Sequence, residues 1–240
     1  MQKVHYLLRY EFKGKNIAQL QVTSVLPKSI PGYQNILTRE YSLTPNLARN
    51  AFGDSVGIFY FFSPSDSVAI EIQGEAELFP DTNQANPQDS AFAYFRSILS
   101  LVPQKIQYQL QTTDLPLDSA LKKGVGDCTE FAAYAARLCS QKGYPTRRVS
   151  GIHLRQGVIA THSWAECQHP NGSWIHLDPT WASETSKDLG HAMIRNLQRP
   201  SWYLTLVPSE PATQAKRWVS FQYAGDSISM KTIARIIPLP

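Results

Sequence analysis

Three residues far apart in the chain have the types that thiol chemistry needs: Cys128 in GVGDCTEFAAYA, His162 in ATHSWAEC and Asp178 in SWIHLDPTW. A thiolate nucleophile needs a base that takes its proton and later returns it to a leaving group. An imidazole in that role needs a partner that fixes its tautomer and stabilises the imidazolium. Each residue alone has a plainer reading. An unpaired cysteine is more often a small buried apolar residue than a reactive one, and most of six scattered histidines would be ordinary core or surface residues. Position has to separate the two readings.

Cys128 opens the best-defined helix in the sequence. Asp127 is a good N-cap and Glu130 follows three residues later, so D-x-x-E resembles a capping box and puts Cys128 in the first helical turn. Cys128, Phe131, Ala132, Ala135, Leu138 and Cys139 form one stripe, and Gly143 followed by Pro145 is the stop signal. The positive end of the helix dipole favours a thiolate at this place, whereas the Asp127 carboxylate opposes a second anion. The dipole alone does not decide the matter, and a base is required.

His162 meets that need through a turn. Between two strand-like runs lies HPNGS, where Pro170, Asn171 and Gly172 suit a three-residue hairpin loop pairing residue 169 with 173. Counted back in antiparallel register, 164 lies opposite 178 and 162 opposite 180. His162, Trp164 and Asp178 then share one face, with Asp178 diagonal to His162 and within reach. A two-residue Asn-Gly turn would pair 170 with 173 and send Asp178 to the other face; the preceding proline favours the longer loop. On the three-residue register Cys167 points away from His162. His176 shares the face of Asp178 and could serve as a metal ligand or second base, though a plain strand residue is the simpler reading, and His153 and His169 read as structural or exposed. No tetrahedral ligand set has persuasive spacing, so no metal or other cofactor is expected.

Around these residues the elements fall into two groups. The first 80 residues carry strand-length runs rich in branched and aromatic residues (HYLLRYEF, IAQLQVTSVL, ILTREYSL, GIFYFF, SVAIEIQGEAEL) punctuated by Pro and Gly. PDTNQANPQDS at 80–90 is the clearest linker, which places an N-terminal β-rich domain at 1–82 and a second domain at 83–240. There, AFAYFRSIL has helical spacing with Ser90 or Asp89 as N-cap. TRRVSGIHL, VIATHSWAEC and SWIHLD read as strands, 183–212 is mixed and polar, and RWVSFQYA with SISMKTIARI reads as a closing hairpin around Gly225 and Asp226.

The segment 105–181, about a third of the chain, resembles the core of the transglutaminase-like superfamily of papain-related thiol enzymes. The motifs that carry it are KKGVGDCTEFAAYAARLCSQKGYPTRRVSG, THSWAEC and SWIHLDPTW. The N-terminal region, including VLPKSIPGYQNI, is similar to the one that often precedes such cores in bacterial members. The resemblance implies an α+β protein in which an N-terminal antiparallel β domain precedes a papain-like core whose cysteine-bearing helix packs on an antiparallel sheet. It makes Cys128 the nucleophile, His162 the base and Asp178 its orienter. Acyl transfer needs an oxyanion hole. The backbone N–H of Cys128 is the first donor by position; family cores bring the second from upstream, where Tyr108, Gln104, Gln107 and Gln109 are all available. Trp164 and Trp181 are expected to wall the substrate pocket, Trp181 fitting a core position equally well.

The implied reaction is acyl transfer at an amide through a thioester. Water as acceptor makes a peptidase or amidase; a lysine amine makes a crosslinking transglutaminase. The sequence lacks a D-x-D-x-D-G calcium motif, which tilts the expectation toward hydrolysis. A non-catalytic binding module is the competing class. An arylamine acyltransferase would show an Arg-Gly-Gly lead into the cysteine, which is absent.

Composition bounds the partners. The net charge of +4 over 240 residues comes from scattered Lys and Arg, with only the pairs Lys122–Lys123 and Arg147–Arg148 adjacent near the motifs. This argues against nucleic acid; a peptide or protein substrate is what the resemblance implies. The most apolar runs, 58–62 and 233–239, fall far short of the roughly 20 residues of a membrane span, and no leader with an apolar core opens the sequence. Three cysteines without a C-x-x-C pair leave at least one thiol free, and Cys128 and Cys139 lie about 16 Å apart on one helix. These features suggest a reducing, cytoplasmic setting.

Overall fold

The computed structural model describes residues 1–50, 53–81, 89–111, 113–155, 158–184, 187–210 and 218–240. The N-terminal region carries β1 (Gln2–Lys15), β2 (Gln19–Val25), β3 (Gln34–Ile36), β4 (Glu40–Tyr41), β5 (Asn46–Arg49), β6 (Ser55–Phe62) and β7 (Ser67–Leu78). Period-two alternation shapes them. In β1, Val4, Tyr6, Leu8, Tyr10 and Phe12 are buried while Lys3, Arg9 and Lys13 lie on the other face. In β7, Ile70, Ile72, Ala76 and Leu78 face the same core, where they meet Leu20, Val22 and Phe59 of the second sheet. Tyr10 Oη and Ser24 Oγ, 2.9 Å apart, join the two layers inside that core.

The run ILTREYSL does not form the single strand expected. It breaks into β3 and β4 along β7, with Leu37 N and Thr38 N both donating to Glu75 O and Thr38 Oγ1 accepting from Glu75 N. The break presses Thr38 O onto β7, where a Cβ at Gly74 would stand 2.1 Å from it. Only glycine fits that crossing.

The core half begins with α1 (Ser90–Lys105), capped by Asp89, which accepts from Ala91 N at 2.8 Å. It runs past the expected residue 99 to Lys105, with Pro103 in the last turn, where the proline forgoes the bond to Leu99 O and the helix ends within a few residues. Then follow β8 (Gln107–Tyr108), α2 (Leu117–Lys123), β9 (Val125–Gly126), α3 (Cys128–Gln141), β10 (Thr146–Arg155), β11 (Val158–Gln168), β12 (Trp174–Leu177), α4 (Pro179–Ala182), α5 (Leu189–Arg195) and β13 (Tyr203–Glu210). The antiparallel sheet has the order β12-β11-β10-β13, and β8 pairs with β9 in parallel. On one face Ala165, Cys167, Ile175 and Leu177 pack under Phe131, Ala135 and Cys139 of α3 and Phe95 and Ile98 of α1. Further across that face, Ile152 and Leu204 join the core of the N-terminal sheets.

Two expectations are corrected here. The last strands, β14 (Val219–Ala224) and β15 (Ser227–Pro238), do not form a hairpin with each other. β14 pairs with β2 and β15 with β1, so each sheet takes one arm and residues 219–238 belong with the N-terminal strands. The bends lie side by side, Ala18 N donating to Ala224 O and Asp226 N to Lys15 O. Each arm thereby satisfies the backbone edge of a strand that would otherwise stay unpaired.

The cysteines also pair. Cys167 does point away from His162, and that face is the one α3 covers, so Cys167 meets Cys139 in a disulfide with Cα atoms 6.4 Å apart. Cys128 is the cysteine left free. The crosslink closes a loop with a sequence separation of 28, which corresponds to about 3–4 kcal/mol of unfolded-state entropy. Urea denaturation with and without dithiothreitol should show a stability loss of about that size; equal midpoints would mean that the crosslink holds nothing the packing does not.

Candidate active site

The helix entrance is built by local chemistry. Gly124 ends α2 in the left-handed conformation at φ 71°. Two residues on, a Cβ at Gly126 would stand 2.7 Å from Glu130 Cβ, so the chain can close onto α3 only without a side chain there. Asp127 then caps the helix, its Oδ1 accepting from Thr129 N at 2.9 Å while Glu130 Oε2 accepts from Asp127 N at 2.8 Å. This is the capping box expected from D-x-x-E, and it sets Cys128 at the first helical position, partly exposed. The other Glu130 oxygen accepts from Leu115 N at 2.8 Å, tying the preceding loop to the same entrance.

The hairpin between β11 and β12 has the three-residue register. His169 N donates to Ser173 O and Gly172 N to His169 O, both at 2.8 Å, with Gly172 at φ 90°. Pairing continues from Gln168 with Trp174 to Ala165 with Leu177, and the next residue is Asp178. Its carboxylate has no exposure to water. Oδ2 lies 2.7 Å from His162 Nε2, and Oδ1 accepts from Trp181 N at 3.2 Å as the N-cap of α4. With Nε2 committed to Asp178, Nδ1 is the ring nitrogen left over, and Cys128 is close enough to be among the groups that raise the proton affinity of His162.

Charge in this cluster is coupled. Burial disfavours the imidazolium, but the Asp178 carboxylate, its hydrogen bond and the Cys128 side chain outweigh burial and push His162 up to about 10. Burial likewise works against the Asp178 anion, and His162 more than offsets it, lowering Asp178 to about 2. Both shifts favour an imidazolium–carboxylate pair, as opposite charges within hydrogen-bond distance should.

The other sequence candidates divide. Tyr108, half exposed at 50%, sits on β8 beside the helix entrance, with its ring edge-on to Phe131 at 5.8 Å. Burial of its hydroxyl region, then the charges of Cys128, Asp127 and Asp178, push its phenol up to about 12, so it remains a hydrogen-bond donor. Trp181 is partly buried and lies 5.6 Å from the His162 ring, but it also stacks on His153 at 4.5 Å and 16°, so it borders the site and belongs to its wall packing. Gln107 and Gln109 lie on or beside β8, and Gln104 lies on α1.

Trp164 differs from expectation. It is on the expected face but fully buried, stacked on His162 at 6.1 Å and met edge-on by Tyr203 at 4.9 Å. Strand alternation assigns a face and not the layer that covers it; here Tyr203 and Ile194 cover the indole. Trp164 is a floor beneath His162 rather than a surface open to substrate. His176 is buried, and burial lowers it to about 3, which leaves it neutral and unsuited to a base role. His153, read as structural or exposed, is buried 5.6 Å from the His162 ring. Sequence reasoning misses Tyr203, which donates to Asp178 Oδ2 at 2.7 Å; the apolar run YLTLV signals a strand, but nothing local says what its first residue meets. Among the described residues no group of three or more His, Cys, Asp or Glu side chains is arranged to hold a metal ion. Replacing Trp164 by Ala should cost about 3–5 kcal/mol of stability, as for other large-to-small changes in a packed core. A denaturation midpoint close to wild type would show that the indole supports nothing.

Residues 81–179, which include Cys128, His162 and Asp178, match the family model of the transglutaminase-like superfamily. The whole chain is similar in shape to the crystal structure of a candidate cysteine protease from Cytophaga hutchinsonii, with a TM-score of 0.67 over 100% of this chain and 91% of that one. Sequence identity between the two is 12%, so that likeness speaks for the fold. A comparison with curated proteins returns no match. Residues 81–179 are thus the part of this chain that is similar to a transglutaminase-like core.

Proposed function

We propose that the protein catalyses thiol-dependent acyl transfer at an amide bond, with water as the final acceptor, acting as a cysteine peptidase or amidase. The observation that carries this reading is the buried His162–Asp178 pair, its ring nitrogen and carboxylate oxygen 2.7 Å apart, with the free Cys128 at the helix entrance near enough to act on the imidazole.

In this reading Cys128 Sγ, its proton passed to His162, attacks the amide carbonyl carbon. The carbonyl oxygen becomes an oxyanion at the helix entrance, where the backbone N–H of Cys128 and the Tyr108 hydroxyl are the donors. His162 gives its proton to the nitrogen as the C–N bond breaks, so the amine leaves neutral and a thioester remains. Water, deprotonated by His162, then attacks the thioester. Collapse of that second intermediate releases the acid and restores the thiol. Asp178 keeps the imidazole in one orientation and balances its charge throughout. The partial exposure of Cys128 supports water as acceptor, because the thioester would form at the protein surface.

Mass analysis of a peptide and amide mixture, incubated with and without a primary amine, tests the proposal. Wild type should give hydrolysis products that the amine does not divert, and Cys128→Ala should lose about 10⁴-fold or more of the rate. Amine adducts in place of acid would convert the reading to transamidation; no turnover and no thioester would sink it. With a substrate in hand, Tyr108→Phe should lower kcat about 10²-fold to 10³-fold with little change in KM. A change confined to KM would remove Tyr108 from the oxyanion hole.

A further inference from the structure

We propose that Tyr203 is a positioning residue of this site: its hydroxyl shares Oδ2 of Asp178 with His162 and loosens the carboxylate's hold on the imidazolium. The inference rests on the catalytic reading of Cys128, His162 and Asp178 and adds a fourth residue to it. His162 Nε2 and Tyr203 Oη both meet the same oxygen at 2.7 Å. The other carboxylate oxygen is occupied by Trp181 N. An oxygen that accepts two strong hydrogen bonds in a dry site offers each donor less negative charge than it would offer one alone. That matters because the mechanism asks His162 to surrender its proton to the leaving amine, and an imidazolium held too tightly is a poor acid.

The arrangement is fixed from several sides. Tyr203 is 2% exposed, and its ring is met edge-on by Trp164 and His176 at 4.9 Å each and by His153 at 5.1 Å. Its strand is held from the N-terminal region. Gln34 Oε1 accepts from Thr205 N at 2.7 Å and Gln34 Nε2 donates to Thr205 O at 2.8 Å, the two bonds a neighbouring strand would make. Burial and the Asp178 charge raise the phenol well above its ordinary value, so the proton stays on Tyr203. The ionisable groups facing the pair are Cys128 from α3, Tyr108 from β8, His153 from β10 and His176 from β12, with Arg199 acting on Tyr203 and His176.

The test reads His162 directly, by NMR titration of the isotopically labelled imidazole in the full chain. Wild type, Tyr203→Phe and the protein with 3-fluorotyrosine at position 203 are compared. Wild type should titrate near 10. Loss of the hydroxyl in Tyr203→Phe, which keeps the ring packing, should raise the proton affinity of His162 about tenfold. Fluorotyrosine, a stronger donor, should lower it. A purely structural role would not move the two variants in opposite directions. A wild-type midpoint in the ordinary histidine range overturns the charge pair on which the catalytic reading depends. A raised wild-type midpoint that Tyr203→Phe leaves unmoved or lowers overturns the role of Tyr203 alone. If Tyr203→Phe does not fold, the fluorinated protein decides, and a midpoint that fails to fall overturns the proposal.

Discussion

A carboxylate with no contact with water is the constraint around which this core is arranged. Leaving Asp178 buried and unpaired would cost several kcal/mol. Three elements remove that cost: β11 brings His162, β13 brings Tyr203, and α4 begins on the carboxylate itself by donating Trp181 N. The sheet order explains the geometry. Asp178 follows the edge strand β12 and Tyr203 starts the opposite edge strand β13, so the two side chains converge from opposite edges and meet over the face of the middle strands. At the middle of that path Gly151 stands opposite His162, and a Cβ there would be 2.2 Å from Leu204 O. The sheet can close around the buried charge because that position has no side chain.

The N-terminal sheets are joined to this sheet by polar contacts as well as by the core they share with Ile152 and Leu204. Tyr33 donates to Glu166 Oε2, and Arg147 Nε donates to the same oxygen at 2.7 Å while its guanidinium lies 4.1 Å above the Trp174 ring. Arg199 stacks on Tyr33 at 3.6 Å and donates to Gly32 O and Phe79 O. Glu166 is four residues from His162 on β11, and Gln34 holds β13 two residues from Tyr203. Both strands that present groups to Asp178 are therefore pinned by the loop at 28–36. Such ion pairs and stacked guanidinium groups contribute little net stability once desolvation is counted.

What could be read in advance was local. The Asp127–Glu130 capping box follows from two residues three apart, and the register of β11 and β12 follows from Pro170, Asn171 and Gly172, because a tight turn fixes pairing by itself. The buried faces of β1 and β7 follow from alternation. Interactions that join distant segments left no such trace. Tyr203 opens the short apolar run YLTLV inside a region that is otherwise mixed and polar, which marks a strand but not its partner, and the Cys139–Cys167 link depends on how α3 lies across β11. Trp164 was assigned the right face and the wrong degree of exposure, because the residues that cover it come from β13 and α5. The family resemblance supplied the one long-range relation that spacing could not, the approach of the Cys128 helix to the His162 strand.

The return of β14 and β15 to the first two strands bears on how the chain can assemble. Until residues 219–238 have left the ribosome, β1 and β2 each present an open hydrogen-bonding edge, and β1 is fourteen residues long. The core half, with its hairpin and its helix-on-sheet contacts, can form while that edge is still waiting. Closure of the first sheets is then a late pairing across nearly the whole length of the chain, of the kind that folds slowly. During that interval the exposed edge of β1 is the part of the molecule most open to pairing with a second nascent copy.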